Sequence, residues 1–182
     1  MKMKRLEPYR AEIAGSAEGR VLEIGMGSGL NLPFYSNRAK EILGLEPHAT
    51  LRKLAGHSDV TLLAASAEQI PLDAASVDSI VTTWTLCSIP DVATALSEMR
   101  RVLRPDGRLL FVEHGLAPEL EVQRTQQKWT PLWGRFTGGC HLDRKIDALI
   151  GDAGFEIEGL RTGYIEGPRA MTFTYSGSAK SR

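Results

Sequence analysis

The sequence predicts an α/β fold: a mostly parallel sheet of seven strands with helices on both faces. Three observations lead there. Apolar runs of strand length alternate with segments of helical periodicity through most of the 182 residues. A cluster of glycines closes the first run, where the chain must turn sharply out of a strand. Length and composition suit one globular domain over residues 1–182, with 42% apolar and 24% charged residues.

The elements follow in order. Residues 1–15 read as an amphipathic helix, within an N-terminal helical segment reaching residue 18. Val21-Leu22-Glu23-Ile24 is a short apolar run ending in glycines, as a buried strand does. Residues 31–35 open a helix, with Pro33 in its first turn. Residues 42–46 form a second strand, residues 49–55 a short helix closed by Gly56, and residues 60–64 a third strand. A fourth strand covers residues 77–83. Asp91 then caps a helix carrying Val92, Leu96, Met99 and Leu103 at helical spacing. Pro105-Asp106-Gly107 reads as a turn before a fifth strand at residues 109–112. Ile146, Leu149 and Ile150 mark a late helix that ends near Gly151 and Gly154. Residues 155–160 and 170–175 are the last two strands. Residues 116–142 read as an irregular substrate-side lid with some helix, and residues 177–182 as a flexible tail.

Composition excludes several classes of function. Twenty-two basic residues balance 22 acidic ones, so no general attraction to nucleic acid or anionic lipid is expected. Two cysteines make no disulfide framework, and no apolar run has the length of a membrane span. No signal peptide is evident, so a cytoplasmic location is expected. The histidines show no ligand spacing, and no metal is expected. His48 and His57 read as surface residues.

The sharpest local signal is Glu23-Ile24-Gly25-Met26-Gly27-Ser28-Gly29. Its spacing is G-x-G-x-G, whereas the dinucleotide fingerprint is G-x-G-x-x-G. Glu23 precedes the glycines, where a pyrophosphate has no use for an anion but an ammonium group does. Glu46 ends the second strand at a distance that suits a ribose-binding acid. The alternative is that Glu46 only caps the following turn.

These residues resemble the motifs of class I S-adenosylmethionine-dependent methyltransferases. The likeness continues through Ser66-Ala67-Glu68-Gln69-Ile70-Pro71-Leu72, where Ser66 stands in place of the family's aspartate. Val77-Asp78-Ser79-Ile80-Val81 and Leu103-Arg104-Pro105-Asp106-Gly107-Arg108-Leu109 complete it. The resemblance implies the Rossmann-like methyltransferase fold and S-adenosylmethionine as cofactor, with S-adenosylhomocysteine as product. It places the cofactor along Glu23, Gly25, Met26, Gly27, Gly29, Asn31 and Leu32. Farther along, it adds Glu46, Pro47, Ser66, Ala67, Glu68, Thr83 and Trp84.

A narrower likeness rests on Thr85-Leu86-Cys87-Ser88-Ile89, Glu113-His114, Gln126-Gln127, Trp129, Trp133 and Gly139-Cys140-His141-Leu142. These are similar to a subgroup that includes the alkyl thiol methyltransferases of animals and their soluble bacterial relatives. Animal members carry an N-terminal membrane anchor, which is not expected here. The subgroup implies a small-molecule acceptor near Trp84, Cys87, Gln127, Trp129, Trp133 and Cys140. His114 is the candidate catalytic residue, as a general base or as an anchor for its loop. Cys87 reads as a buried structural cysteine ahead of a nucleophile. The pocket is completed by the lid segment or by a second copy in a homodimer. Three functions are open: methyl transfer to a small apolar nucleophile such as a thiol, methyl transfer to a phospholipid headgroup or quinone ring, and cofactor binding without catalysis.

Overall fold

The computed structural model describes residues 4–55, 60–136 and 138–182, with the side chains of Arg135 and Phe136 set aside. The start of the first helix, the closure at Gly56 and the placement of His57 lie outside the described residues. Helix α1 (Glu7–Gly15) leads into β1 (Gly19–Ile24) and β2 (Ala39–Leu45). There follow α2 (Ala49–Leu54), β3 (Val60–Leu63), β4 (Val77–Thr83), α3 (Val92–Val102) and β5 (Leu103–His114). The chain ends with α4 (Leu120–Phe136), α5 (Ile146–Asp152), β6 (Phe155–Tyr164), α6 (Arg169–Thr172) and β7 (Phe173–Ser181).

The seven strands form one sheet in the order β3-β2-β1-β4-β5-β7-β6. Strands β1 to β5 pair in parallel, and β7 runs antiparallel to both neighbours. Side-chain alternation along the strands divides the interior in two. Leu22, Ile24, Ile80, Leu109 and Phe111 join Leu96 and Met99 of α3, Ile146 and Ile150 of α5, and Phe155 in the larger core. Val21, Val81, Leu110 and Val112 point the other way and pack with Ile13 of α1. Asp91 caps α3 as expected: its side chain accepts the N–H of Thr94 at 3.1 Å.

Five expectations are corrected. Residues 177–182 are no flexible tail: β7 runs to Ser181 and lies between β5 and β6. Its Gly-Ser-rich composition looks like a solvated end. At Gly177, however, a side chain would collide with the carbonyl oxygen of Gly159, so smallness is a packing requirement. Residues 31–35 make a single 3₁₀ turn, Leu32–Phe34, with no helix after the glycine loop. The 116–142 segment is mostly regular, since α4 spans 17 residues and continues through Pro131. Buried Gln126 ties α4 to the end of β5, donating to the Gly115 carbonyl at 2.9 Å and accepting from the Ala117 N–H at 3.0 Å. Leu103 opens β5 rather than closing α3. The Pro105-Asp106-Gly107 turn becomes an excursion within that strand, whose register jumps from Leu103 opposite Val77 to Arg108 opposite Ser79. Finally, residues 169–172 form α6, and the last strand begins at Phe173.

Candidate active site

Strand order reverses between β1 and β4, and ligands of parallel α/β sheets bind beyond the carboxyl ends of the strands at such a point. A cavity of about 500 Å³ lies there. Gly25, Gly27, Glu46, Pro47, Ser66, Ala67, Glu68 and Trp84 line it, as expected. His48, Leu51, Thr85, Ser88, Ile89, Pro90 and Gly138 line it too, and sequence reasoning missed them as lining residues. His48 thus stands at the cavity, not merely on the surface. The three glycines of the loop all have left-handed φ, at +64°, +59° and +76° for Gly25, Gly27 and Gly29. A side chain at Gly25 would also strike Thr85.

Glu46 is buried at the cavity wall. Its Oε2 accepts the Gly27 N–H at 3.0 Å, and its Oε1 accepts the His48 N–H at 2.9 Å. The acid therefore does cap its own turn, and it also clasps the glycine loop. Each oxygen keeps acceptor capacity for a diol. Trp84 closes the opposite wall with a φ of +51°, rare for a bulky residue. Its N–H donates to the Val112 carbonyl, and its ring lies 4.9 Å from the Arg10 guanidinium.

Glu23, Met26, Gly29, Asn31, Leu32 and Thr83 do not line this cavity. Several of them build a buried polar network on the α1 face instead. Arg10 donates to Asn31 Oδ1 at 2.7 Å and to the Thr83 hydroxyl at 3.2 Å. Asn31 Nδ2 donates to Glu23 at 2.8 Å, and the Tyr35 hydroxyl donates to Glu23 at 2.7 Å. Asn31 thus relays between a cation and a carboxylate. Burial pushes Glu23 up to about 7, against the pull of Tyr35, Asn31 and Arg10. Arg10 and Tyr35 carried no signal in sequence, because each belongs to a different local element.

A second cluster forms where β5 ends. Cys87, His114 and Cys140 have their ligand atoms within 4.8 Å of one another. His114 Nε2 lies 3.0 Å from Cys140 Sγ. The expectation of no ligand cluster is therefore corrected: spacing along the chain hid a grouping that three separate segments create. Backbone contacts enforce it, since the His141 N–H donates to the Cys87 carbonyl at 2.8 Å. Glu113, fully buried, accepts from the Thr82 hydroxyl and from the Thr85 N–H at 3.0 Å. The amides of Leu86 and Cys87 face the same carboxylate, although Oε2 makes no bond of good geometry. Burial pushes Glu113 up to about 7 and His114 down to about 4. Imidazole is thus neutral at physiological pH, and by itself so weak a base holds a thiol proton poorly. Hydrogen bonds from Cys87 and Trp133 lower the Cys140 thiol, while Cys87 is raised.

Gln127 and Cys140 line a second cavity of about 500 Å³, with Thr130, Pro131 and His141. Trp133 packs on the two cysteines, whereas Trp129, one helical turn away, is 48% exposed. Among the described residues, no helix is long and apolar enough to cross a membrane.

Residues 22–111 match the methyltransferase domain family. The chain is 30% identical over 179 residues to the Homo sapiens thiol S-methyltransferase TMT1A, covering 92% of this chain and 72% of that protein. It is 32% identical to Homo sapiens thiol S-methyltransferase TMT1B over 80% of this chain. The match spans only 64% of TMT1B's length, and 57% of its Rattus norvegicus counterpart's. Cereibacter sphaeroides phosphatidylethanolamine N-methyltransferase is 27% identical over 76% of this chain and 71% of its own. In structure, an S-adenosylmethionine-dependent methyltransferase from Aquifex aeolicus superposes with a TM-score of 0.67 at 20% identity, over 96% of this chain and 91% of that one. The chain belongs to the class I S-adenosylmethionine-dependent methyltransferases. Within that class it is similar to proteins that methylate thiols and to one that methylates a phospholipid amine.

Proposed function

We propose that this chain methylates a small, apolar thiol. The observation that carries the reading is that two cavities meet at one stretch of chain: Gly138 lines the first, and Gly139 and Cys140 line the second. The first is walled by Glu46, the glycine loop and Trp84. The second is lined by Cys140 and walled partly by α4. Similarity to two thiol S-methyltransferases supports a sulfur acceptor over other small nucleophiles.

S-adenosylmethionine, when bound, supplies a methyl group already activated on a sulfonium. The residues of the first cavity fit that cofactor. Glu46 offers acceptor lone pairs to ribose hydroxyls, while Ile24, Leu45, Leu51 and Ile89 give an apolar wall. The chain's own contribution is then positioning and exclusion of water. Ser88 lines this cavity too, and its hydroxyl lies 3.5 Å from Cys87 Sγ, so the cavity adjoins the cluster at β5. The phosphatidylethanolamine relative supports a second reading, transfer to a lipid amine.

The deciding experiment incubates the protein and S-adenosylmethionine with alkyl thiols under a phosphine reductant, or with phosphatidylethanolamine vesicles. Formation of S-adenosylhomocysteine together with a methyl thioether is expected. Product formed only with the vesicles would overturn the thiol reading.

A further inference from the structure

We propose that Cys87, His114 and Cys140 bind one thiophilic divalent cation of the zinc class, leaving a fourth coordination position for the acceptor sulfur. The fourth ligand rests on the thiol reading above; the three protein donors do not.

The donor set is the first argument. Two sulfurs and one imidazole nitrogen select zinc-like cations over magnesium or calcium, which take oxygen. Three protein ligands with one open place is the pattern of catalytic zinc, whereas structural zinc is closed by four. Among the described residues, these three form the one such group. Size is the second argument. Bonds of about 2.0–2.3 Å in a tetrahedron place neighbouring ligand atoms roughly 3.3–3.8 Å apart. The observed atoms lie within 4.8 Å of one another, with one pair at 3.0 Å, so small side-chain rotations bring them onto a cation.

Support and charge form the third argument. The two sulfur donors are fixed by their surroundings. Glu113 holds the loop that carries Cys87. The His141 N–H binds the Cys87 carbonyl, and the indole N–H of Trp133 reaches Cys140. Such outer contacts orient metal ligands and tune them. Cys87 and Cys140 are buried and unbridged. As thiolates they would be two buried charges beside Leu142 and Met171, with the single Arg144 guanidinium nearby to offset them in part. A divalent cation balances both, with two thiol protons released to solvent.

The consequence concerns the acceptor. A thiol that ligates a divalent cation loses its proton outright, so its sulfur is held as the nucleophile at neutral pH. Its proton goes to solvent. The sulfur pair then forms the new bond to the methyl carbon as the sulfonium carbon–sulfur bond breaks, leaving a thioether and a neutral sulfide. His114 is on this account a ligand and not the base. Cys140 already lines the second cavity, which gives an external sulfur a route to the site.

The test uses the intact chain, stripped with chelator under a phosphine reductant and titrated with cobalt(II) alone. One cobalt per chain is expected, with intense thiolate-to-cobalt charge-transfer absorption and tetrahedral visible bands. Cys87→Ala and Cys140→Ala should each weaken binding at least tenfold and reduce the charge-transfer intensity. Circular dichroism checks that they fold, and wild-type titration stands if they do not. Adding an alkyl thiol should shift the visible bands. Absence of stoichiometric cobalt binding overturns the proposal, as does a Cys87–Cys140 disulfide that persists under reductant. Cobalt bands indifferent to thiol overturn the fourth-ligand role. Stripped protein that methylates thiols at an undiminished rate would overturn the inference while leaving the thiol reading intact.

Discussion

Two regions beyond the carboxyl ends of the strands are built in opposite ways. The glycine loop and Glu46, beyond β1 and β2, are assembled from residues close in sequence, and the backbone does most of the shaping. The cluster beyond β5 draws Cys87, His114 and Cys140 from segments 27 and 26 residues apart. Local sequence can dictate the first, because left-handed φ at three glycines is a short-range demand. It cannot dictate the second, because the donors meet only after β4, β5 and α4 have packed. On the proposed function, the cofactor side is thus shaped by local sequence, while the acceptor side depends on long-range packing.

The largest expected effect falls on the long-range half. Deleting residues 177–182 removes most of the strand between β5 and β6, including buried Ala179. Circular dichroism and sedimentation should show a chain that fails to fold. A folded, soluble truncation would break the contrast, because β7 would then be dispensable.

Glu46→Ala should be next. A hydrogen bond to a charged group is worth about 1.5–3 kcal/mol, and the substitution would remove the acceptor proposed for two ribose hydroxyls. Calorimetric titration with S-adenosylhomocysteine should show affinity reduced by at least tenfold, with near-normal circular dichroism. Equal affinity would leave Glu46 with its turn cap and its clasp on the glycine loop, and no part in ribose binding.

The α1-face network offers a test by pH. Glu23 titrates near 7 when folded, against an ordinary value of 4.5. The folded chain therefore holds this proton more tightly than the unfolded one. Stability from this group is complete below about pH 4.5 and is lost as pH rises through 7. A tenfold change in proton affinity corresponds to about 1.4 kcal/mol, so the loss should reach a few kcal/mol. Denaturant titrations from pH 4.5 to 8 should show the slope in the wild type and a flatter profile in Glu23→Gln. Parallel profiles would mean that Arg10 and Asn31 keep Glu23 ionised.

Trp129→Ala should have the smallest effect, within about 0.5 kcal/mol, because half of that side chain is in water. Trp133→Ala should cost more, since Trp133 packs on both cysteines. Equal losses in thermal unfolding would show that α4 buries both faces in solution.

How much was legible varies with the range of the interaction. Strands β1 to β5 and the Asp91 cap were readable, because apolar runs and a capping side chain act within a few residues. The helix expected after Asn31 failed: a single 3₁₀ turn forms there, and Asn31 itself is drawn into a buried bond with Arg10. The Gly-Ser-rich end looked solvated because composition does not register a missing neighbour. Gly177 is small because Gly159 and Phe111 press upon it.

The sequence by itself determined the class of fold, the place of the glycine loop, and Glu46 as the acid beside it. Each follows from steric rules or periodicities that operate over a few residues. Only the tertiary structure decided that Glu23 is withdrawn into a buried network, that β7 is interior, and that two cysteines and a histidine meet. Those outcomes depend on which surfaces exclude water from which groups. Burial belongs to the packed sheet and its helices, and short stretches of chain do not encode it alone.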